Sequence, residues 1–191
     1  MSTPLRTAIH VLGMALIALS LGLGGRAQAH VHGQAEMTVA IDGAIVMVQL
    51  DSPLDALLGF EHAPRTPRQI DATRAMAKRL RQADTWLQLT PAAGCTLSRV
   101  DLRSDALAPD LLQDAPATPP SQAATPKTQA QAHADLHGEF EFQCQTPAAL
   151  KGLELRVFSF FPGMRRVDLQ VASGRRQVAA KLTAQQSRAS W

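Results

Sequence analysis

The 191-residue chain carries 19 Lys+Arg against 16 Asp+Glu, a formal charge of +3, with 12 prolines, no tyrosine and only 4% aromatic residues. Arg6 and Arg26 sit in an N-terminal leader, so the remainder holds 17 basic and 16 acidic side chains, a charge of about +1 that gives no electrostatic footing for a nucleic acid or an anionic membrane surface. Few aromatics and many prolines imply one domain with a small core and much irregular chain.

Residues 1–29 have the three zones of a secretory signal: a basic start with Arg6, an apolar run from Val11 to Leu23, and the small-residue site Ala27-Gln28-Ala29. That run of 13 residues is too short to span a bilayer, which takes ~20 helical residues, and no comparable run follows. The expectation is an exported protein, not membrane-embedded, cleaved after Ala29 to begin His30-Val31-His32-Gly33.

From Val31 to Ile41 the residues alternate, with Val31, Ala35, Met37, Val39 and Ile41 on one face. Asp42-Gly43 is a hairpin turn pair, and Ala44 to Asp51 reads as the returning strand. Ser52-Pro53-Leu54-Asp55 then looks like a helix start, with Ser52 as cap, Pro53 in the first position and Asp55 at the positive end. Gly59 is its expected stop. Thr66-Pro67-Arg68-Gln69 matches a capping box for a second helix, in which Ile70, Ala77, Leu80 and Leu87 fall near helical spacing. Arg68, Arg74, Lys78 and Arg81 read as its solvated face. This helix is expected to end near Ala83, before a short strand around Trp86 to Thr90.

Cys95 to Arg103 alternates again. Asp105 to Ala132 is rich in Ala, Pro, Thr, Gln and Asp and reads as a flexible loop with no core to bury. Strands are then expected over His133 to Cys144 and Leu153 to Phe161, the latter stopped by Pro162-Gly163. A last hairpin spans Arg166 to Ala172 and Gln177 to Thr183. The reading is an α+β fold: a mostly antiparallel sheet or sandwich of roughly six to eight strands with a helical excursion after the first hairpin.

Cys95 and Cys144 most simply form one disulfide in an exported chain; a pair of thiolate metal ligands is the rival. Closing that loop of about 50 residues is worth roughly 4 kcal/mol in the chain-entropy model.

Histidine placement carries more chemistry. A period of two puts His133, Asp135, His137, Glu139 and Glu141 on one face of their strand, opposite Leu136, Phe140, Phe142 and Cys144. Side chains at i and i+2 lie ~6.5–7 Å apart, close enough to share an ion bound at ~2.0–2.2 Å per ligand. His30, His32, Gln34 and Glu36 repeat the pattern on the first strand. Were the two strands neighbours, an N/O site for zinc could be built from both, and the same ligands suit copper(II) or nickel(II). His30, as mature N-terminus, offers amine and imidazole together, as in copper enzymes with an N-terminal histidine. Glu61 and His62 are either ligands together, or His62 is a loop histidine bonded to backbone. Gly-x-Ser-x-Gly, His-Glu-x-x-His and a glycine-rich phosphate loop are absent, so hydrolase or nucleotide chemistry finds no motif.

Several of these segments together resemble a known family. They are His32-Gly33 with the hairpin Val39-Ala40-Ile41-Asp42-Gly43, and Ser52-Pro53-Leu54 through Leu58-Gly59-Phe60-Glu61-His62-Ala63-Pro64-Arg65-Thr66. Cys95, the His133 to Cys144 strand, Phe160-Phe161-Pro162 and the terminal Trp191 complete the order. The chain is similar to the ZrgA-type zinc-regulated periplasmic proteins of Gram-negative bacteria. The resemblance implies a non-enzymatic periplasmic zinc binder serving a zinc uptake system with an ABC-type transporter. It carries over His32, His62, His133, Asp135 and His137 as ligands; taken with the strand spacing, His133, Asp135 and His137 stand foremost, and His32, His30 and His62 are completing ligands. Relatives often have a His- and Asp-rich insertion, whereas 105–132 holds no histidine, which argues for one site rather than high capacity. Imidazole ligation implies zinc release as pH falls through about 6.5. A metal-free interaction module of a transport system and a copper enzyme built on His30 are the alternatives.

Overall fold

Alternation of apolar and polar residues sets the first hairpin, as read from the sequence. The computed structural model describes residues 32–113, 134–174 and 176–191. Strand β1 (Gln34–Asp42) buries Ala35, Met37 and Val39, and β2 (Ile45–Pro53) buries Val46, Val48 and Leu50. Gly43 turns the chain between them at φ 56°. Among the described residues the strand begins at Gln34, after Gly33, at φ 76°, bends the chain just before it; Val31 lies outside them.

Ser52 does not cap the helix that follows. It is buried in the extended end of β2, and its hydroxyl donates to the Pro53 carbonyl at 3.2 Å. Helix α1 (Leu54–Leu58) therefore starts one residue later, with no side-chain cap. Its C-terminal stop is Gly59, in the left-handed conformation that glycine takes at little steric cost.

Helix α2 (Pro67–Arg81) begins as its sequence predicts: Thr66 Oγ1 accepts from the Gln69 amide at 3.2 Å, and Pro67 takes the first turn. The Gln69 side chain reaches one residue further back than in a standard capping box, accepting from the Arg65 amide at 2.8 Å. Thr73, Met76, Ala77 and Leu80 are buried; Arg68, Arg74 and Lys78 face solvent. A break at Gln82 separates α2 from α3 (Ala83–Trp86), and β3 (Leu87–Leu89) follows. Trp86 is fully buried, stacks edge-on against Phe140 at 5.2 Å, and donates its indole N–H to the Leu80 carbonyl at 3.2 Å.

Strands β4 (Cys95–Arg103) and β5 (Asp135–Cys144) pair antiparallel, and the disulfide joins their opposed residues Cys95 and Cys144. The stretch read as a coreless loop does contribute to the core. Leu107, Leu111 and Leu112 are buried, the last two in α4 (Pro109–Leu112), where Arg81 Nε donates to the Leu112 carbonyl at 2.9 Å. Three leucines were outweighed by the polar composition around them. The rest of that loop, 114–132, lies outside the described residues, as do His30, His133 and the leader.

The strand expected over 153–161 is divided. Strand β6 (Gly152–Leu155) ends where Arg156 leaves the extended region (φ −99°, ψ 6°), and α5 (Val157–Phe160) takes over. Strands β7 (Arg166–Ser173) and β8 (Arg176–Leu182) form the last hairpin. A further strand, β9 (Arg188–Ser190), is too short to leave an alternating signature.

The α+β reading stands, with nine strands among the described residues in two sheets: β4-β5-β2-β1-β7-β8 and β3-β6-β9. Pairing is antiparallel except between β1 and β7. One face of the larger sheet carries Met37, Val48, Leu50, Phe140, Phe142 and Leu169 into the core, together with Leu80 and Trp86. Its other face is polar. No helix among the described residues is long and apolar enough to cross a membrane.

Candidate metal centre

The pairing of strands gathers four chain segments at one end of the larger sheet. Glu36 lies opposite Asp51, Pro53 opposite Asp135, and Gln34 beside Arg166, so the starts of β1, β5 and β7 meet the end of β2. His32 occupies the turn ahead of β1. Asp55 follows Pro53 in the first turn of α1. The left-handed Gly59 then reverses the chain and brings Glu61 back to the same place.

There His32 Nε2 stands 3.8 Å from Asp55 Oδ2 and 3.6 Å from Glu61 Oε1. One ligand atom from each of the three residues lies within 4.8 Å of the others. Two atoms each ~2.1 Å from a tetrahedral ion are separated by about 3.4 Å, so these spacings need only small side-chain adjustments to close on a zinc ion. The polar environment favours a cation as well. Asp55 Oδ1 is buried with no hydrogen-bond partner, and the Asp55 side chain is only 18% exposed. A carboxylate oxygen removed from water without a donor is costly, and a bound cation offsets that cost. His32, at 71% exposure, leaves the group open to solvent.

Of the residues ranked first from the sequence, Asp135 lies at this same end of the sheet, opposite Pro53, and His137 lies further along β5. Asp135, His137, Glu139 and Glu141 share the solvent face of β5, as expected from the alternation. His137, however, is engaged across the sheet: its Nδ1 lies 2.5 Å from Asp51 Oδ1, the residue opposite it on β2. On its other side it faces Arg103, whose guanidinium binds Asp101 and Glu139, each at 2.7 Å. Asp51, Arg103, His137 and Glu139 line an open cavity of about 390 Å³ with Gln49, Ser104 and Asp105. Arg103 holds Asp101 and Glu139 in ion pairs and His137 is paired with Asp51, so a metal ion here would compete with those contacts. Among the described residues, Asp135 and His137 do not join a group of three close ligand atoms; His32, Asp55 and Glu61 do.

The strands carrying His32 and the His133 to Cys144 segment are not neighbours, because β2 lies between β1 and β5. His62 is turned to its own backbone: Nδ1 donates to the Ala63 carbonyl at 2.9 Å and the ring stacks on Phe60. His30 and His133 lie outside the described residues.

Asp55 was read only as a partner of the helix terminus, and Glu61 as a ligand only together with His62, not with His32. For Asp55, though not for Glu61, a signal lay in the hairpin. Paired residues in the β1–β2 register have numbers adding to 87, as 36 and 51 do, and 32 and 55 also add to 87.

A family model described as "ZrgA family zinc uptake protein" matches residues 29–191, and the chain belongs to this family. No curated protein matches it.

Proposed function

We propose that this member of the ZrgA zinc uptake family is a periplasmic, non-enzymatic zinc-binding protein that serves zinc import alongside an ABC-type transporter. Zinc is its cargo. In this reading His32 Nε2, Asp55 and Glu61 hold the ion, and a fourth position is left for water or for a ligand of the receiving protein. The observation that carries the reading is the convergence of one imidazole and two carboxylates at ligand-to-ligand spacing.

The donor set suits transfer. Closed four-ligand sites hold zinc as structure, whereas three protein ligands leave a position open to water or another ligand, and a ligand of a receiving protein could enter there. Exposure of His32 gives a partner access to the ion. Oxygen and nitrogen donors also accept copper(II) and nickel(II), so selectivity comes from supply as much as from ligand type. The disulfide supports an oxidising, extracytoplasmic location, and it removes both thiolates from consideration as ligands.

Calorimetric titration of the mature protein with zinc, copper(II) and nickel(II) tests the reading. The expected result is one zinc per chain, with binding lost in His32→Ala and in Glu61→Gln and kept in His137→Ala. Binding that survives His32→Ala but fails in His137→Ala would move the site to the face of β5. No zinc binding at all would leave a metal-free interaction module of a transport system.

A further inference from the structure

The ligands of the candidate site come from separate stretches of chain, and the β1–β2 ladder, whose last pair is Glu36 and Asp51, stops short of His32 and Asp55. The turn between α5 and β7 touches both. It is anchored by Phe161 and Met164, buried at 3% and 2% exposure, with the Met164 amide donating to the Phe161 carbonyl at 2.9 Å. The residue after Met164 is Arg165. Its amide donates to the Gly33 carbonyl at 2.8 Å, and its guanidinium Nη2 donates to the His32 carbonyl at 3.0 Å. The Arg166 amide adds a second bond to the Gly33 carbonyl at 3.1 Å.

Close contact extends to the other ligand segment. A Cβ on Gly33 would stand 2.8 Å from the Gly163 carbonyl oxygen and 2.7 Å from Arg165 Nε. A Cβ on Gly163 would stand 2.7 Å from the Ala56 carbonyl oxygen and 3.2 Å from that of Asp55. Three backbones are therefore stacked at a distance only glycine permits: the His32 turn, the Gly163 turn, and the start of α1.

We propose that Arg165, presented by this turn, is a positioning residue of the metal site, holding the His32 backbone so that its imidazole meets Asp55 and Glu61. The inference rests on the zinc reading above. Arg165 reaches the ligand through its carbonyl, so it acts on geometry without coordinating the ion. Outer groups that orient a metal ligand are typically worth about 10–100-fold in affinity.

The test uses the mature protein, zinc competition against a chromophoric chelator, and the visible spectrum of the cobalt(II) form. Arg165→Met keeps the aliphatic stem and the backbone amide but removes the guanidinium donors. It is expected to weaken zinc about ten-fold or more and to alter the cobalt spectrum, with the metal-free protein melting near the parental temperature. Arg165→Lys, which can still donate to the His32 carbonyl, is expected to recover most of that affinity. Parental zinc affinity and an unchanged cobalt spectrum in a folded Arg165→Met protein overturn the proposal. So does a lowered melting temperature with unchanged affinity, the mark of a purely structural contact. Should Arg165→Met not fold, Arg165→Lys decides by its cobalt spectrum, where any geometry unrelated to the parent's with zinc affinity intact is the overturning result. Parental protein that binds no zinc fails the functional reading itself, a result distinct from these.

Discussion

Replacing Asp55 with asparagine separates the cost of the metal site from its use. In the metal-free protein the Asp55 carboxylate sits in the first turn of α1, where a negative charge is worth about 0.3–1 kcal/mol. Against that stand the buried, unpartnered Oδ1 and the nearby Glu61 carboxylate, which share one exposed imidazole. These terms oppose, so Asp55→Asn should change metal-free stability by less than about 1 kcal/mol, or ~2–4 °C in melting temperature for a chain of this length. Zinc behaves differently. A ligand at 100 times its dissociation constant stabilises the native state by about 2.7 kcal/mol, which corresponds to a rise of roughly 5–10 °C in the parental protein. Asp55→Asn should lose most of that rise. The assay is a pair of thermal melts, followed by circular dichroism, with and without zinc. A variant that keeps the whole zinc shift would refute the ligand role. A variant that unfolds without metal would show that Asp55 holds the fold instead.

Three further outcomes follow from the same structure. Replacing Cys95 and Cys144 together by serine opens a loop with a sequence separation of 49 and should cost up to about 4 kcal/mol of stability by denaturant unfolding. Zinc affinity should be unchanged, because the Cys144 amide bonds Ala44 at the hairpin end of the sheet, away from His32; a loss of affinity would implicate the thiols. Trp86→Ala removes a fully buried indole and its contact with Phe140, and should cost about 3–5 kcal/mol; a cost under about 1 kcal/mol would contradict the packing. The Arg156 guanidinium, and then that of Arg188, hold the Glu154 carboxyl below the usual carboxylate range, tying β6 to β9. A lowered folded-state value means stability present above about pH 4.5 and lost as pH falls through the lowered one, so Glu154→Gln should flatten the acid limb of the stability curve. Parallel curves for parent and variant would count against that coupling.

Most of the fold was legible because period-two alternation and turn chemistry are local. Asp42-Gly43, Thr66-Pro67 and Gly59 each marked a boundary through their own backbone preferences. What sequence reading missed depended on contacts between distant segments. Ser52 belongs to a strand because its backbone pairs with Leu136, which local capping preference cannot anticipate. Leu111 and Leu112 are buried because α4 packs under Arg81, although the surrounding composition is polar. The site divides the same way. His32 was visible as an outward histidine, but its carboxylate partners depend on hairpin register and on the reversal at Gly59. The histidines of the 133–137 segment drew notice through spacing and through the family resemblance, and neither shows that His137 pairs with Asp51 across the sheet.

The most direct test of the account is a crystal structure of the zinc-loaded mature protein, with anomalous differences recorded at the zinc edge. The account predicts a peak bound by His32 Nε2, Asp55 and Glu61 at about 2.0–2.2 Å. A peak on the outer face of β5 beside His137, with His32 unligated, would contradict it.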